Sequence, residues 1–316
     1  MEYIILDNEW NTSYKKINGK CFNELIEIGA VKLDSKLREI SRFSVLIRST
    51  FTKKLSSRFQ RLTNITTEEM KEKGMTFEQA VMLYSEWAGT DAVTMTWSNS
   101  DLYVLLENFR LRCDMNTIPF IGKYVDLQKF AQNEMILKGS QITSQISVAN
   151  AAISLGIPID GIELHRALDD SLLCAEIFRK VYCPKRFNGY IVDTRENDYY
   201  SRLTFKAFII NDINSPLINR KMLELKCDKC GAEAERLSTW VFKGQSFRAE
   251  FQCKKCRNRF LGRVSFKKYY DKVVVKRNTA PLQTDSKSQV IKVEKLNVKA
   301  AQSKQPKPPK KEQVVE

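Results

Sequence analysis

The sequence predicts an α/β domain built on a mixed β-sheet, followed by a small cysteine-rich module. Apolar segments with strand character open the chain, strand-like and helical segments alternate up to about residue 183, and two closely spaced cysteine pairs follow. Strands in direct succession favour antiparallel pairing, whereas strands separated by helices favour parallel pairing. We therefore expect both kinds of pairing in one sheet that is flanked by helices.

The order of the elements follows from the spacing of apolar residues. Strands are expected at residues 3–6, 25–33, 43–47, 93–97 and 124–127, where short apolar runs are bounded by polar turns. Helices are expected at residues 77–87, 101–112, around 130, 146–155 and 168–181. In the second of these helices, Leu102, Leu105 and Phe109 share one face. Pro184 is typical of the end of the last helix.

The composition indicates a soluble globular protein. The chain has 316 residues, of which 43% are hydrophobic and 28% are charged. Its apolar start is interrupted by Asp7 and lacks a preceding basic stretch, so it does not resemble a signal peptide. We expect a cytoplasmic location and no membrane partner, while nothing in the sequence indicates the oligomeric state.

The net charge of +15 is concentrated towards the C-terminus. Residues 1–225 are nearly neutral, whereas residues 226–277 contain 15 Lys and Arg against 5 Asp and Glu. This distribution fits a polyanionic partner, although a solvated surface would have the same composition. Residues 186–225 are interpreted as a connector, and residues 278–316 as a disordered basic tail with too little apolar content for a core.

Three acidic residues in the first half of the chain are candidates for a metal site. Asp7 and Glu9 lie two positions apart at the expected end of the first strand, so their side chains share one face. Such a pair is costly unless a cation neutralises it, and a divalent metal is the usual solution. The alternative is a turn with two solvated acids. Asp101 follows a strand and a polar turn, but it is also an ordinary helix-start residue.

His165 is the only histidine of the chain, and Asp170 follows it by five positions. On one helix, residues five positions apart point in different directions. Both can therefore reach one site only if His165 lies on the loop before the helix. The alternative is a histidine on the surface or in the core. Asp169 competes with Asp170 for a role in the site and could simply cap the helix.

Together these residues resemble the DEDDh subgroup of the DnaQ-like exonucleases. The family's motifs are matched in order by Asp7-Asn8-Glu9, by Asp101, and by His165 with Asp170. Residues 27–31, 62–65 and 97–98 also resemble the family, and the similarity is greatest to the KapD and Eri-type branch, which is associated with trimming of RNA 3′ ends. The resemblance implies a ribonuclease H-like fold in residues 1–185. It also implies 3′→5′ exonuclease activity on single-stranded nucleic acid, with RNA favoured over DNA.

The resemblance further implies the roles of the site residues. The carboxylates of Asp7, Glu9, Asp101 and Asp170 would hold two Mg²⁺ or Mn²⁺ ions, and His165 would be the general base. An imidazole suits that role because its ordinary pKa is about 6.5. The family spacing selects Asp170 over Asp169.

Two residues depart from the family pattern. Asn8 replaces an apolar residue and should point towards the packing side of the sheet. Trp10 replaces a small or hydroxyl-bearing residue, and it could stack on the terminal base or simply pack in the protein.

Two cysteine pairs predict a structural metal site in residues 226–277. The pairs Cys227/Cys230 and Cys253/Cys256 are separated by 22 residues, a spacing typical of a zinc ribbon with one Zn²⁺ ion. Four incidental core cysteines are the alternative, and core positions are expected for the other four cysteines of the chain.

Basic and aromatic residues are interleaved around these cysteines. This pattern favours contact with nucleic acid, although the aromatic residues could instead form a small core. The residues expected to bind nucleic acid are Trp10, Lys243, Arg248, Lys254, Lys255, Arg257 and Arg259.

A catalytically inactive nucleic-acid-binding protein is the competing hypothesis for the whole chain. The presence of all five catalytic residue types favours an enzyme.

Overall fold

The computed structural model describes residues 1–17, 19–159, 164–196 and 198–282, with the side chains of residues 14–17 and 20 excluded. The chain forms two compact units, Met1–Lys206 and a second unit that begins at Ala207. This boundary falls inside the segment that the sequence suggested as a connector. The segment is divided because Tyr200 is buried in the core of the first unit, whereas Ile210 is buried in the core of the second.

A six-stranded mixed sheet forms the centre of the first unit, with the strand order β3-β2-β1-β4-β5-β6. Strands β1 to β3 pair antiparallel, β1, β4 and β5 pair parallel, and β6 pairs antiparallel with β5. The expected mixture of pairings is confirmed. The strands are β1 Tyr3–Ile17, β2 Lys20–Leu33, β3 Glu39–Leu46, β4 Val93–Thr96, β5 Lys123–Asp126 and β6 Val192–Asp193.

Helices cover both faces of this sheet. The alternation of apolar residues along β1 supplies two cores, since Ile4 and Leu6 pack with α3 and α4, whereas Tyr3 and Ile5 pack with α5, α6 and α7. This arrangement fits the ribonuclease H-like fold. The helices are α1 Ser57–Thr63, α2 Thr67–Lys73, α3 Phe77–Ala88, α4 Asn99–Cys113, α5 Leu127–Leu137, α6 Val148–Ser154, α7 Ala167–Val181, α8 Pro184–Phe187 and α9 Tyr199–Thr204, with a 3₁₀ turn at Asn188–Tyr190.

Four short helices, α8, α9, α1 and α2, were not expected from the sequence, because helices of four to seven residues are too short for a clear hydrophobic period. The longest of them are α1 and α2, with seven residues each. Their starts are stabilised by the side chains of Ser56 and Thr66, which accept hydrogen bonds from backbone N–H groups in the first turn.

Strand β1 extends beyond the point at which the sequence suggested that it ends. Asp7 and Glu9 therefore lie within the strand, opposite Gly29 and Glu27 of β2, and a bulge follows Glu9. The apolar pattern of the sequence did not predict this continuation, because the polar residues Asn11 and Ser13 occupy its buried positions.

Helix α7 begins in direct contact with β2. The hydroxyl of Ser171 donates a hydrogen bond to the backbone oxygen of Gly29 at 2.9 Å. A Cβ atom at Gly29 would lie 2.1 Å from the backbone nitrogen of Leu168 and 2.2 Å from the carbonyl carbon of Ala167. Only glycine permits this close approach, and it thereby places the first turn of α7 on the sheet.

The second unit is an antiparallel β-structure. Four strands follow the order β12-β11-β10-β8, while β7 pairs with β11 and β9 pairs with β10. The strands are β7 Phe208–Ile209, β8 Ala234–Arg236, β9 Val241–Lys243, β10 Ser246–Cys253, β11 Arg259–Lys268 and β12 Val273–Pro281, and a 3₁₀ turn covers Arg220–Leu223.

The sequence pattern predicts that the disordered tail starts at residue 278, which is too early because β12 continues to Pro281. Residues 278–281 pair with residues 260–263 of β11, so backbone hydrogen bonds order them despite their polar composition. Residues 283–316, the rest of that segment, lie outside the described residues.

The remaining expectations on burial and location have mixed outcomes. Of the four cysteines outside the two pairs, Cys174 is buried, whereas Cys21 is exposed and is not a core residue. None of the helices in the described part of the chain has the length and apolar character that a membrane crossing requires.

We predict that Gly29→Ala lowers the free energy of unfolding of the first unit by about 1 to 3 kcal/mol, because the added methyl group overlaps the backbone of α7. Chemical denaturation monitored by circular dichroism measures this change. Gly189→Ala is the matched control, since a Cβ atom there meets no atom within 4 Å. Equal stability of the two variants would contradict the proposed contact.

Candidate active site

A cleft of about 600 Å³ opens in the first unit. All five residues that the family resemblance singled out line it. Its lining among the described residues is Asp7, Asn8, Glu9, Trp10, Phe59, Leu62, Trp97, Ser98, Ser100, Asp101, Ser147, Val148, Ala149, Leu164, His165 and Asp170. Asp169 is not part of this lining.

The fold brings residues from distant parts of the sequence together in this cleft. Ligand atoms of Glu9, His165 and Asp170 all lie within 4.8 Å of one another. Asp7 and Glu9 come from β1, where residues two apart share a face. His165 lies in the turn before α7, with φ at +70°, and its backbone N–H donates a hydrogen bond to Oδ2 of Asp170 at 3.1 Å. The loop position that the spacing required is therefore present.

Asn8 holds the first turn of α4 against β1. Its backbone N–H donates to Oδ1 of Asp101 at 3.1 Å, and its side-chain Nδ2 donates to the backbone oxygen of Asp101 at 3.3 Å. Asn8 is buried on the α4 side of the sheet, as its alternation with the neighbouring acids suggested. It also orients an acidic residue of the cleft, a role that sequence reasoning did not assign.

The four carboxyl groups of the cleft repel one another, and burial shields them from solvent. Burial raises the pKa of Asp7 well above its ordinary value, and the charges of Asp101, Asp170 and Glu9 raise it further. Burial likewise raises the pKa of Glu9 to about 9 and that of Asp101 to about 7, and it raises the pKa of Asp170. Protons or cations must therefore neutralise the cluster. Carboxylate oxygens at this density fit hard divalent cations such as Mg²⁺ or Mn²⁺.

A buried ion pair supports the turn that carries His165. Glu27, opposite Glu9 on β2, accepts a hydrogen bond from Nη2 of Arg166 at 2.7 Å and another from the backbone N–H of Ala167 at 3.0 Å. Arg166 thus anchors the junction between His165 and α7. The sequence does contain an indication of this role, because an acidic residue inside the apolar run 25–33 requires a partner.

One wall of the cleft is apolar. Phe59 and Leu62 come from α1, one of the short helices that were not expected, and the side chain of Leu62 is 46% exposed. Trp10 packs partly against the core and also lines the cleft, so the two roles considered for it are compatible. Aromatic and apolar side chains are groups on which the flat face of a base can stack.

The second unit contains a separate cluster of four cysteines, Cys227, Cys230, Cys253 and Cys256, whose sulfur atoms all lie within 4.8 Å of one another. Sγ of Cys227 is 3.6 Å from Sγ of Cys256, and Sγ of Cys230 is 3.4 Å from Sγ of Cys253. A tetrahedral zinc site with Zn–S bonds of about 2.3 Å has sulfur atoms roughly 3.8 Å apart, so the cluster is compatible with such a site. A hydrogen bond from the backbone N–H of Cys256 lowers the pKa of Cys253 to about 6, which favours the thiolate that binds metals.

The aromatic residues around this cluster are mainly structural. Phe247, Phe251, Phe260 and Phe266 are buried in the core of the second unit, so the alternative interpretation holds for them. Trp240 packs against the same core, while Phe242 is 40% exposed.

The basic residues expected to bind nucleic acid differ in their surroundings. Arg259 forms an ion pair with Glu250 at 3.0 Å, and Lys254 forms one with Glu233 at 3.5 Å. Lys243, Lys255 and Arg257 are exposed, whereas Arg248 is partly buried.

Comparison with protein families identifies the first unit. The model of the family described as "Exonuclease" matches residues 6–178, more than half of the chain, and this span contains all five residues of the cleft. The chain belongs to this exonuclease family. No curated protein sequence shows significant similarity to this chain.

Solved structures of nucleases are similar to this chain. Exonuclease I has 13% sequence identity and a TM-score of 0.50, with 84% of this chain and 55% of that chain covered, a likeness of fold alone. Cell-death related nuclease 4 has 19% identity and a TM-score of 0.49, covering 60% of this chain and 64% of that chain. The nuclease domain of 3′hExo, described as a DEDDh family member, has 24% identity and a TM-score of 0.47, covering 56% of this chain and 88% of that chain. The chain thus spans less than two thirds of the length of Exonuclease I and of cell-death related nuclease 4.

We predict that the stability of the metal-free protein falls as the pH rises from about 5 to 9. The raised pKa of Glu9, about 9, means that folding favours its protonated form, and this contribution is lost as the carboxyl ionises. Thermal unfolding in a chelator measures the decrease, and added Mg²⁺ should reverse it. Stability that increases over this pH range, in the metal-free protein, would contradict the repulsive cluster.

We also predict that Asp7→Asn raises the melting temperature in chelator and removes the increase that Mg²⁺ causes. The change replaces a buried carboxyl group, whose ionisation is opposed by burial and by the three other carboxylates of the cleft, with a neutral amide. A gain of about 1 kcal/mol corresponds to roughly 2 to 4 °C for a unit of this size. Asp169→Asn is the control, because Asp169 is not part of the described lining of the cleft and its loss should preserve the response to Mg²⁺.

Proposed function

We propose that the chain is a metal-dependent 3′→5′ exonuclease that removes nucleotides from single-stranded nucleic acid, with RNA favoured over DNA. The observation that carries this proposal is the convergence of Asp7, Glu9, Asp101, His165 and Asp170 in one cleft. We assign the catalytic domain to residues 1–185, which contain all five residues and the strands and helices that hold them.

The proposed reaction is hydrolysis of the terminal phosphodiester bond. Water attacks the phosphorus atom, and the bond between phosphorus and the 3′ oxygen of the preceding nucleotide breaks. The products are a nucleoside 5′-monophosphate and a strand that is one nucleotide shorter and ends in a new 3′ hydroxyl. Asp7, Glu9, Asp101 and Asp170 would hold two Mg²⁺ or Mn²⁺ ions. When bound, these ions would activate the water and stabilise charge on the leaving oxygen.

The side chain of His165 is the proposed general base. It is exposed at the cleft, and its backbone is held by the hydrogen bond to Asp170. An imidazole can take the proton of the attacking water at neutral pH and release it to solvent afterwards. The ion pair between Arg166 and Glu27 keeps the adjacent turn in position for this step.

The preference for single strands is supported by the apolar wall of Trp10, Phe59 and Leu62. An unpaired terminal base can lie against such a wall, because every base has a π-face. The preference for RNA is supported by the sequence resemblance to the KapD and Eri-type branch.

For the second unit we propose one structural Zn²⁺ ion held by Cys227, Cys230, Cys253 and Cys256. Four thiolates complete a tetrahedral shell, which leaves no position for catalysis. We propose that the basic ribbon, residues 226–277, contributes to binding of the nucleic acid, a role supported by its excess of Lys and Arg.

We predict that the wild-type chain with Mg²⁺ or Mn²⁺ converts a 5′-labelled single-stranded oligonucleotide into a ladder of shortened labelled products. His165→Asn should lower the rate about 10²- to 10⁴-fold, the usual contribution of a general base. Asp7→Asn should abolish the ladder, whereas Asp169→Asn should preserve it. Matched RNA and DNA strands test the preference for sugar type.

Two outcomes of this assay count against the proposal. Release of a labelled mononucleotide as the first product would indicate the opposite direction. Binding without shortening would support the catalytically inactive alternative.

We predict that the chain purified without chelator contains about one zinc per molecule by mass spectrometry, and that Cys253→Ser loses it. Cys21→Ser should retain the metal, because Cys21 is an exposed cysteine outside the cluster. Equal zinc content in the two variants would contradict the assignment.

A further inference from the structure

A basic cleft lies on the second unit, on the face of its sheet opposite the aromatic core. Along β10 and β11 the residues alternate in burial, so that Phe247 and Val264 face the core while Arg248 and Arg263 face outwards. Arg248 and Arg263 are direct partners across the two antiparallel strands. Two like charges therefore meet at neighbouring positions of one sheet face.

This pairing is unfavourable unless an anion relieves it. Like charges directly opposite each other in a sheet destabilise it. The Nε atoms of Arg248 and Arg263 are also buried, and neither has a hydrogen-bond partner in the described part of the chain. A buried donor without an acceptor costs about 1 to 3 kcal/mol. Both features are explained by a ligand that brings negative charge and hydrogen-bond acceptors.

The surroundings of the two arginines strengthen the same conclusion. They line a cleft of about 450 Å³ together with Lys267 of β11 and Lys276 of β12, and no carboxylate side chain is part of its described lining. Ser246, Ser265 and Asn278 add uncharged donors. The cleft is therefore selective for anions in both charge and hydrogen bonding.

An arginine on the same face shows the opposite arrangement. Arg259, four positions before Arg263 on β11, forms an ion pair with Glu250 of β10 at 3.0 Å. Its charge is already neutralised, as is that of Lys254 beside Glu233. Of the cations expected to bind nucleic acid, these two are therefore poor candidates, while Lys267 and Lys276 were not among those expected.

We propose that this cleft, lined by Arg248, Arg263, Lys267 and Lys276, binds the phosphodiester backbone of single-stranded nucleic acid as a second site on the chain. The proposal rests on the exonuclease function, which requires a polyanionic substrate. Guanidinium groups match phosphate oxygens in a bidentate manner. Positive charges about 5 Å apart across strands and roughly 7 Å apart along a strand favour a chain of phosphates over a single ion.

The test uses the full-length chain with Asp7→Asn, so that binding is measured without hydrolysis. Fluorescence anisotropy with a labelled single-stranded RNA of 20 nucleotides is recorded over a series of salt concentrations. Adding Arg248→Gln and Arg263→Gln should weaken binding at least 10-fold at low salt. The slope of log K against log salt should decrease by about 1.4, since each phosphate contact with a single strand contributes roughly 0.7.

The matched control is Arg259→Gln together with Glu250→Gln in the same background, which removes an ion pair without changing the net charge and should change the affinity less than 2-fold. The Arg248→Gln, Arg263→Gln variant should melt at the same temperature as its parent or higher, since two facing like charges are removed. A lower melting temperature together with weaker binding would assign the arginines a structural role and overturn the proposal.

Further outcomes separate the possible ligands. An unchanged salt slope in the Arg248→Gln, Arg263→Gln variant, or an equal loss of affinity in the Arg259→Gln, Glu250→Gln control, overturns the proposal. Displacement of the RNA by inorganic phosphate at constant ionic strength would indicate a site for free phosphate instead of a strand. Because hydrolysis is not measured, failure of this test leaves the exonuclease function standing, and failure of the nuclease assay leaves the binding result standing.

Discussion

The repulsion among four partly buried carboxylates is the constraint on which the rest of the first unit depends. Burial raises the pKa values of Asp7, Glu9, Asp101 and Asp170, so the fold must hold these groups together against their own electrostatics. Contacts outside the cluster provide the restraint. Asn8 binds Asp101, the ion pair of Glu27 with Arg166 anchors the turn before α7, and the absence of a side chain at Gly29 allows α7 to approach β2.

The two units present opposite forms of one electrostatic arrangement. In the first unit, carboxylates converge in a cleft that cations would stabilise. In the second unit, Arg248 and Arg263 face each other in a cleft that anions would stabilise. Each cleft lies beside residues whose charges are neutralised within the protein, such as the pair of Arg259 and Glu250. Uncompensated charge therefore distinguishes candidate binding surfaces from solvated ones.

Local patterns accounted for much of the fold. The expected helix at residues 77–87 and the strand at 93–97 lie within one residue of α3 and β4, because their apolar spacing is regular. Helices α1 and α2 are too short to show a period, and the second half of β1 buries Asn11 and Ser13 where a strand pattern calls for apolar residues. Residues 27 and 166 are 139 positions apart, and no local pattern indicates that they pair.

The sequence by itself determined the mixed α/β class and the order of the motif residues, and it predicted one cluster of the four cysteines and a loop position of His165 as the condition for sharing a site with Asp170. These features depend on spacing along the chain, because the periods of strands and helices determine in which direction each side chain points. Only the tertiary structure decided which charges are compensated and which aromatic residues are buried. Whether an arginine faces a glutamate or another arginine depends on strand register, and register is set by packing across the whole sheet.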